Sequence, residues 1–141
     1  MKFRINVAIF GATGYTGLEL IRLLNFHKKA EIKYLISTSN YGKNISELYP
    51  GLNSVNYPKL IKFNEVNWKN IDVIFLCLPS GESKRIVKKI PKSIVIIDLS
   101  NDFRVNSLSS LKSSDSTWKY GLADNWQNFL ELDKRHAYGT K

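Results

Sequence analysis

Val7-Ala8-Ile9-Phe10-Gly11-Ala12-Thr13-Gly14-Tyr15-Thr16-Gly17 decides the fold of this chain, because an apolar run breaks into three glycines at three-residue spacing and then into a helical pattern. Gly11 lets the chain turn sharply off a strand, Gly14 lets backbone N–H groups approach a pyrophosphate, and Gly17 lets the new helix lie close to the sheet. The start of that helix then presents unpaired N–H groups and a positive dipole end to an anion. Glycine triplets also occur in turns that bind nothing, so the context carries the reading. Residues Phe3 to Phe10 have a strand-like apolar pattern, and Leu18, Ile21 and Leu24 repeat at helical spacing.

Outward from this turn, the pattern predicts strands at Phe3–Phe10, Glu31–Ser37, Ile71–Leu78 and Ser93–Leu99, with a short one at Lys59–Phe63. Most are nearly continuous apolar runs, as in parallel strands covered by helices on both faces. Helical segments at Thr16–Phe26 and Glu82–Ile90 supply crossovers, and a short helix is expected at Ile45–Leu48. The fold class is therefore α/β, a Rossmann-like parallel sheet with helices on both faces. The whole chain, 1–141, reads as one dinucleotide-binding domain with an irregular tail from about residue 105, where Ser107 to Thr117 form a serine-rich loop.

Composition excludes several other classes. Hydrophobic residues make up 43% and charged residues 23%, which fits a globular chain rather than a disordered or fibrous one. The apolar runs Val73–Leu78 and Ile94–Ile97 are too short to cross a bilayer, and Arg4 and Asn6 interrupt any signal-peptide pattern, so a cytoplasmic protein away from membranes is expected. The net charge of +9 raises the possibility of nucleic-acid binding. The basic residues are scattered, however, and the group Lys84, Arg85, Lys88, Lys89 and Lys92 sits opposite Ile86, Val87 and Ile90 as a solvated helix face, so no nucleic-acid partner is expected. A single cysteine, Cys77, excludes an intrachain disulfide and a multi-cysteine zinc site; within an apolar strand it reads as a core residue, and no metal is expected.

In an open α/β sheet, ligands bind beyond the carboxyl ends of the strands, so the Gly11–Gly17 turn, the Ser37–Asn40 end, the Pro79 loop and the Asp102 loop should line one crevice. A free ribose 2′-hydroxyl usually meets Asp or Glu after the second strand. Here the residues are Ser37-Thr38-Ser39-Asn40-Tyr41-Gly42-Lys43, whose hydroxyls, amide and lysine suit a 2′-phosphate better, so NADP is the expected cofactor; an ordinary polar loop is the alternative.

Several segments together resemble the N-acetyl-γ-glutamyl-phosphate reductase family of the semialdehyde dehydrogenase superfamily. They are the glycine turn through Leu24, Ile45-Ser46-Glu47-Leu48-Tyr49-Pro50, Val73 through Ser83, Ile97-Asp98-Leu99-Ser100-Asn101-Asp102-Phe103-Arg104 and Trp118 through Asp124. The turn alone would also allow an aspartate-semialdehyde dehydrogenase; Tyr15, the Asp-Phe-Arg stretch and the Tyr-Gly-Leu stretch favour the first family. The resemblance implies reductive dephosphorylation of an acyl phosphate with NADPH, in which a cysteine thiolate displaces phosphate and hydride releases the semialdehyde, with a histidine as acid/base partner. It places Gly11, Thr13, Gly14, Tyr15, Thr16 and Gly17 at the pyrophosphate, Ser37, Ser39 and Asn40 at the 2′-phosphate, and Pro79 and Ser80 beside the nicotinamide.

The family's cysteine lies beyond the Tyr-Gly-Leu stretch in an Asn-Pro-Gly-Cys motif that this sequence does not contain, so no catalytic residue is assigned here and the chain alone is expected to be inactive. His27 and His136 read as structural, as do Asp98 and Arg104, which fix their loop by a mutual or a backbone hydrogen bond. The family's catalytic and dimerising half is expected to lie outside these residues, with a homo-oligomer formed by the full-length protein. A nucleotide-binding regulatory module without chemistry is the competing reading.

Overall fold

A computed structural model describes residues 4–102 together with the backbone of residues 119–120. Six parallel strands form one sheet in the order β3-β2-β1-β4-β5-β6, with β1 Ile5–Phe10, β2 Ala30–Ile36, β3 Leu60–Ile61, β4 Val73–Leu76, β5 Val95–Asp98 and β6 Lys119–Tyr120. The chain runs outward from β1 to β3, then returns to the other side of β1 for β4. Adjacent turns therefore diverge at the β1/β4 boundary, the switch point where such sheets open a crevice.

Side-chain alternation along the central strands fills both faces. Ala8, Phe10, Ile36, Ile74 and Leu76 point to one layer with Val87 and Ile90, whereas Val7, Ile9 and Leu35 point to the other with Ile21, Ile45 and Leu60. The first layer is covered by α3, Glu82–Val87, and the second by α1, Tyr15–Asn25, and α2, Ile45–Leu48. Phe63 joins the first layer by stacking on Phe10 with ring centroids 5.3 Å apart and meeting Trp68 edge-on at 5.4 Å.

Expected and observed elements agree in order and type, with physical reasons for the differences at their ends. β4 stops at Leu76 rather than Leu78, although the Cys77 N–H still donates to the Phe10 carbonyl at 2.8 Å. α3 stops at Val87 rather than Ile90 because the amides of Lys89 and Ile90 bond three residues back, to Ile86 and Val87, tightening the last turn. The segment after β3 closes into two short 3₁₀ turns, Phe63–Glu65 and Trp68–Asn70. The serine-rich stretch, Arg104 and His136 lie outside the described residues. Among the described residues, no helix is long and apolar enough to cross a membrane.

Candidate functional site

The glycine turn follows β1 directly and is held from both neighbouring strands. The amides of Gly11 and Ala12 both donate to the Ile36 carbonyl at the end of β2, at 3.0 and 3.3 Å. On the other side Gly11 lies against the end of β4: with φ at +84°, it takes a left-handed conformation, and a Cβ there would overlap the Cys77 carbonyl. Gly17 is buried in the first turn of α1, where a Cβ would overlap the Gly11 carbonyl oxygen and crowd the Ala12 backbone. Two of the three glycines are thus required by close backbone approach, which brings α1 down onto the sheet.

Gly14 is different. It is exposed, has an ordinary extended conformation with φ −82° and ψ 168°, and a Cβ there would meet only the Gly11 carbonyl at 3.6 Å. It is the N-cap residue of α1, and no side chain caps this helix. Leu18 is the first helical residue whose amide finds a carbonyl, that of Gly14 at 2.9 Å. Among the described residues, the amides of Thr13, Tyr15, Thr16 and Gly17 find no acceptor, so several donors and the positive helix end converge on one exposed turn. A pyrophosphate fits this donor set. Tyr15 and Thr16 are exposed on the first helical turn, with Tyr15 at 96%.

The Thr13 carbonyl, on the inner side of the same turn, accepts a 2.6 Å hydrogen bond from the Tyr49 hydroxyl. Tyr49 is placed by α2, whose N-terminus is secured by reciprocal bonds between Asn44 and Glu47. Its bond spans 36 residues of sequence, and no local pattern announces it.

At the end of β2, Ser37 is buried, and its hydroxyl oxygen accepts the Asn40 amide at 3.2 Å, while the Ser39 hydroxyl accepts the Asn40 side-chain N–H at 3.3 Å. Ser37 therefore shapes the loop, and exposed Ser39 and half-buried Asn40 are the polar groups presented beyond it. Pro79 and Ser80 are exposed in the loop between β4 and α3. Because β1, β2 and β4 are parallel neighbours, all three sets of predicted residues emerge at the same carboxyl edge.

The loop after β5 reaches back to that edge. One oxygen of Asp102 accepts the Gly81 amide at 2.5 Å and the other the Lys84 amide at 3.2 Å, so a carboxylate from β5's loop caps α3. Asp98 is buried, and its carboxylate accepts hydrogen bonds from the hydroxyls of Ser83 and Ser100 at 2.8 Å each and from the Ser100 amide at 3.3 Å. It acts as a structural tie between β5 and α3, through a backbone amide as expected and through two serine hydroxyls besides; Arg104 lies outside the described residues. Burial pushes its carboxyl above the ordinary range, against the pull of those hydrogen bonds.

Cys77 lies just past β4 and is partly buried beneath the turn rather than within the strand. Burial, with a contribution from the Asp98 charge, pushes its thiol up to about 12, so it stays protonated and is a weak nucleophile. Exposed His27 accepts the Lys29 amide through Nδ1 at 3.3 Å, a local turn contact at the far end of α1. Among the described residues, no cluster of three or more histidines, cysteines and carboxylates could hold a metal.

Residues 6–131 match the model of the semialdehyde dehydrogenase NAD-binding domain. Among curated relatives, an N-acetyl-gamma-glutamyl-phosphate reductase of Ehrlichia ruminantium (strain Gardel) is 45% identical over 114 residues, covering 79% of this chain and 33% of the relative. The enzyme of the same name from Cereibacter sphaeroides is 37% identical over 134 residues, covering 95% and 37%. The chain thus spans about a third of the length of these relatives. An aspartate semialdehyde dehydrogenase from Candida albicans, solved with NADP, superposes with a TM-score of 0.61 over 73% of this chain and 31% of that one; at 22% identity this likeness shows the fold alone.

Proposed function

The chain belongs to the semialdehyde dehydrogenase family, as its NAD-binding domain, and from that premise we propose that it is the NADPH-binding portion of an N-acetyl-γ-glutamyl-phosphate reductase. The observation that carries the reading is the bare start of α1 at the switch point, where the amides of Thr13, Tyr15, Thr16 and Gly17 face an exposed turn that only glycine can form at Gly11 and Gly17. These amides hold the pyrophosphate, with Gly14 admitting it closely and Tyr15 and Thr16 flanking it. Ser39 and Asn40 meet the 2′-phosphate on a loop shaped by Ser37, and the absence of an acid between Ser37 and Lys43 favours the phosphorylated dinucleotide. Pro79 and Ser80 border the nicotinamide.

When bound, the dinucleotide would supply the hydride that reduces the acyl group of a small-molecule acyl phosphate. No residue of this chain acts as the nucleophile: the only cysteine, Cys77, is held protonated under the turn. The remaining chemistry, and assembly into a homo-oligomer, belong to the full-length enzyme, a cytoplasmic one in this reading. A fluorescence titration of the chain with NADPH and NADH tests the proposal. Tighter binding of NADPH, without turnover of the acyl phosphate by the chain alone, is expected; no binding of either dinucleotide overturns the site, and turnover by this chain overturns the assignment of the nucleophile elsewhere.

A further inference from the structure

The sequence offers Lys43 as the cation nearest the end of β2, but the fold brings another to that place. β2 and β3 pair in parallel with Ile36 opposite Ile61, so the next residues, Ser37 and Lys62, emerge side by side at the carboxyl edge. The peptide between Ile61 and Lys62 is fixed there, since the Ser37 amide donates to the Ile61 carbonyl at 3.0 Å. The loop leaving β2 is closed onto the same strand by two further bonds, from the Gly42 amide to the Leu60 carbonyl at 2.6 Å and from the Leu60 amide to the Lys43 carbonyl at 2.9 Å. Thr38 to Tyr41 are therefore a short loop pinned at both ends to the strand that Lys62 directly follows.

The Lys62 side chain is also placed. Its ammonium stands over the half-exposed Tyr41 ring, 4.0 Å from the centroid, and it takes part in none of the ion pairs formed among the described residues. The neighbouring Glu65 carboxylate is engaged with the Lys62 backbone amide at 2.6 Å. Lys43 likewise forms no ion pair among the described residues, but no ring holds its ammonium beside the loop; its charge is the least of the influences that keep the exposed Glu47 carboxyl below its ordinary range, after the Asn44 amide and side chain.

We propose that Lys62, held over Tyr41 at the end of β3, is the cation that selects the 2′-phosphate of NADPH over the free hydroxyl of NADH. The inference rests on the reading of this chain as an NADPH-binding domain. A ring under the ammonium keeps it beside the loop without neutralising it, leaving its charge for a phosphate that a dinucleotide brings. The shape of the loop then comes from Ser37 and Asn40, and the charge from a different strand.

Titration of the 141-residue chain with NADPH and with NADH separates the possibilities, using Lys62→Met, Lys62→Arg and Lys43→Met. Lys62→Met should weaken NADPH binding roughly tenfold to a hundredfold while leaving NADH unchanged, as expected for loss of one charge-assisted phosphate contact. Lys62→Arg should keep most of the preference, and Lys43→Met nearly all of it. Retained preference in Lys62→Met, equal weakening of both dinucleotides, or loss of preference in Lys43→Met instead overturns the role of Lys62. A wild-type chain that binds both dinucleotides equally overturns the NADPH reading itself.

Discussion

Two helices begin at the same edge of the sheet, and they are finished in opposite ways. α3 receives the Asp102 carboxylate on the amides of Gly81 and Lys84, whereas α1 receives no side chain, and the amides at its start have no acceptor among the described residues. An uncapped helix end forgoes about 1 kcal/mol that a polar cap would contribute. At α3 the protein supplies the anion itself, which closes that end to any other. At α1 no side chain takes that place, and the turn is shaped instead by bonds to the Ile36 carbonyl and from the Tyr49 hydroxyl. On the proposed reading, the difference separates a helix start that stabilises the fold from one that binds a phosphate.

The largest break in this contrast should come from Gly17→Ala. Its methyl group would overlap the Gly11 carbonyl, forcing α1 away from the sheet; we expect a loss of about 3 kcal/mol or more in urea unfolding and no dinucleotide binding. Gly14→Asp should make α1 resemble α3. The backbone there accepts a side chain, so the variant should be unchanged or more stable by a few tenths of a kcal/mol while NADPH affinity falls about a hundredfold, because a carboxylate now occupies the anion's place. Opposite signs for stability and affinity in one variant would be hard to obtain from general damage. Parallel losses of both would contradict this contrast between the two helix starts.

Asp102→Ala performs the reverse operation on α3. It should cost about 1–2 kcal/mol of stability, with Asp102→Asn recovering part through its carbonyl oxygen; denaturant midpoints for the two variants give the answer. Tyr49→Phe removes only the hydroxyl that steadies Thr13, so a loss of about 1 kcal/mol, seen as a few-fold weaker affinity for NADPH and NADH alike, is expected in titration. The smallest effect concerns Asp98. Its carboxyl is raised in the fold, so protonation favours the folded state: that contribution is complete below the ordinary value of 3.8 and is lost as pH rises through the folded value. Melting temperatures of Asp98→Asn, measured across that range, should lack this decline.

The part of the fold that repeats locally could be read from the sequence. The apolar run Val7–Phe10, the glycine spacing and the helical repeat of Leu18, Ile21 and Leu24 each follow from neighbours within one or two turns, and the elements lie where those patterns put them. Element ends were less legible because ladder bonds, not polarity, terminate them: Cys77 and Leu78 are as apolar as the strand they follow. The candidate site divided along the same line. Its backbone donors were visible in the glycine motif, while Tyr49, Asp102 and Lys62 reach their places through contacts 36, 18 to 21, and about 25 residues away in sequence, which no period encodes. Ser37 was visible as a hydroxyl, but its inward turn onto the Asn40 amide was not.

The Ile36 carbonyl accepts the amides of both Gly11 and Ala12, and the β2 loop begins at the very next residue. The glycine turn and the β2 loop, proposed here to hold the pyrophosphate and the ribose phosphate, consequently hang from one peptide group, and the span between them is a fixed gauge rather than an adjustable gap. With the proposed role of Lys62, cofactor preference in such a scaffold becomes modular: Thr38 to Tyr41 and Lys62 would form an interchangeable head while the gauge, and hence the length of ligand it accepts, stays the same.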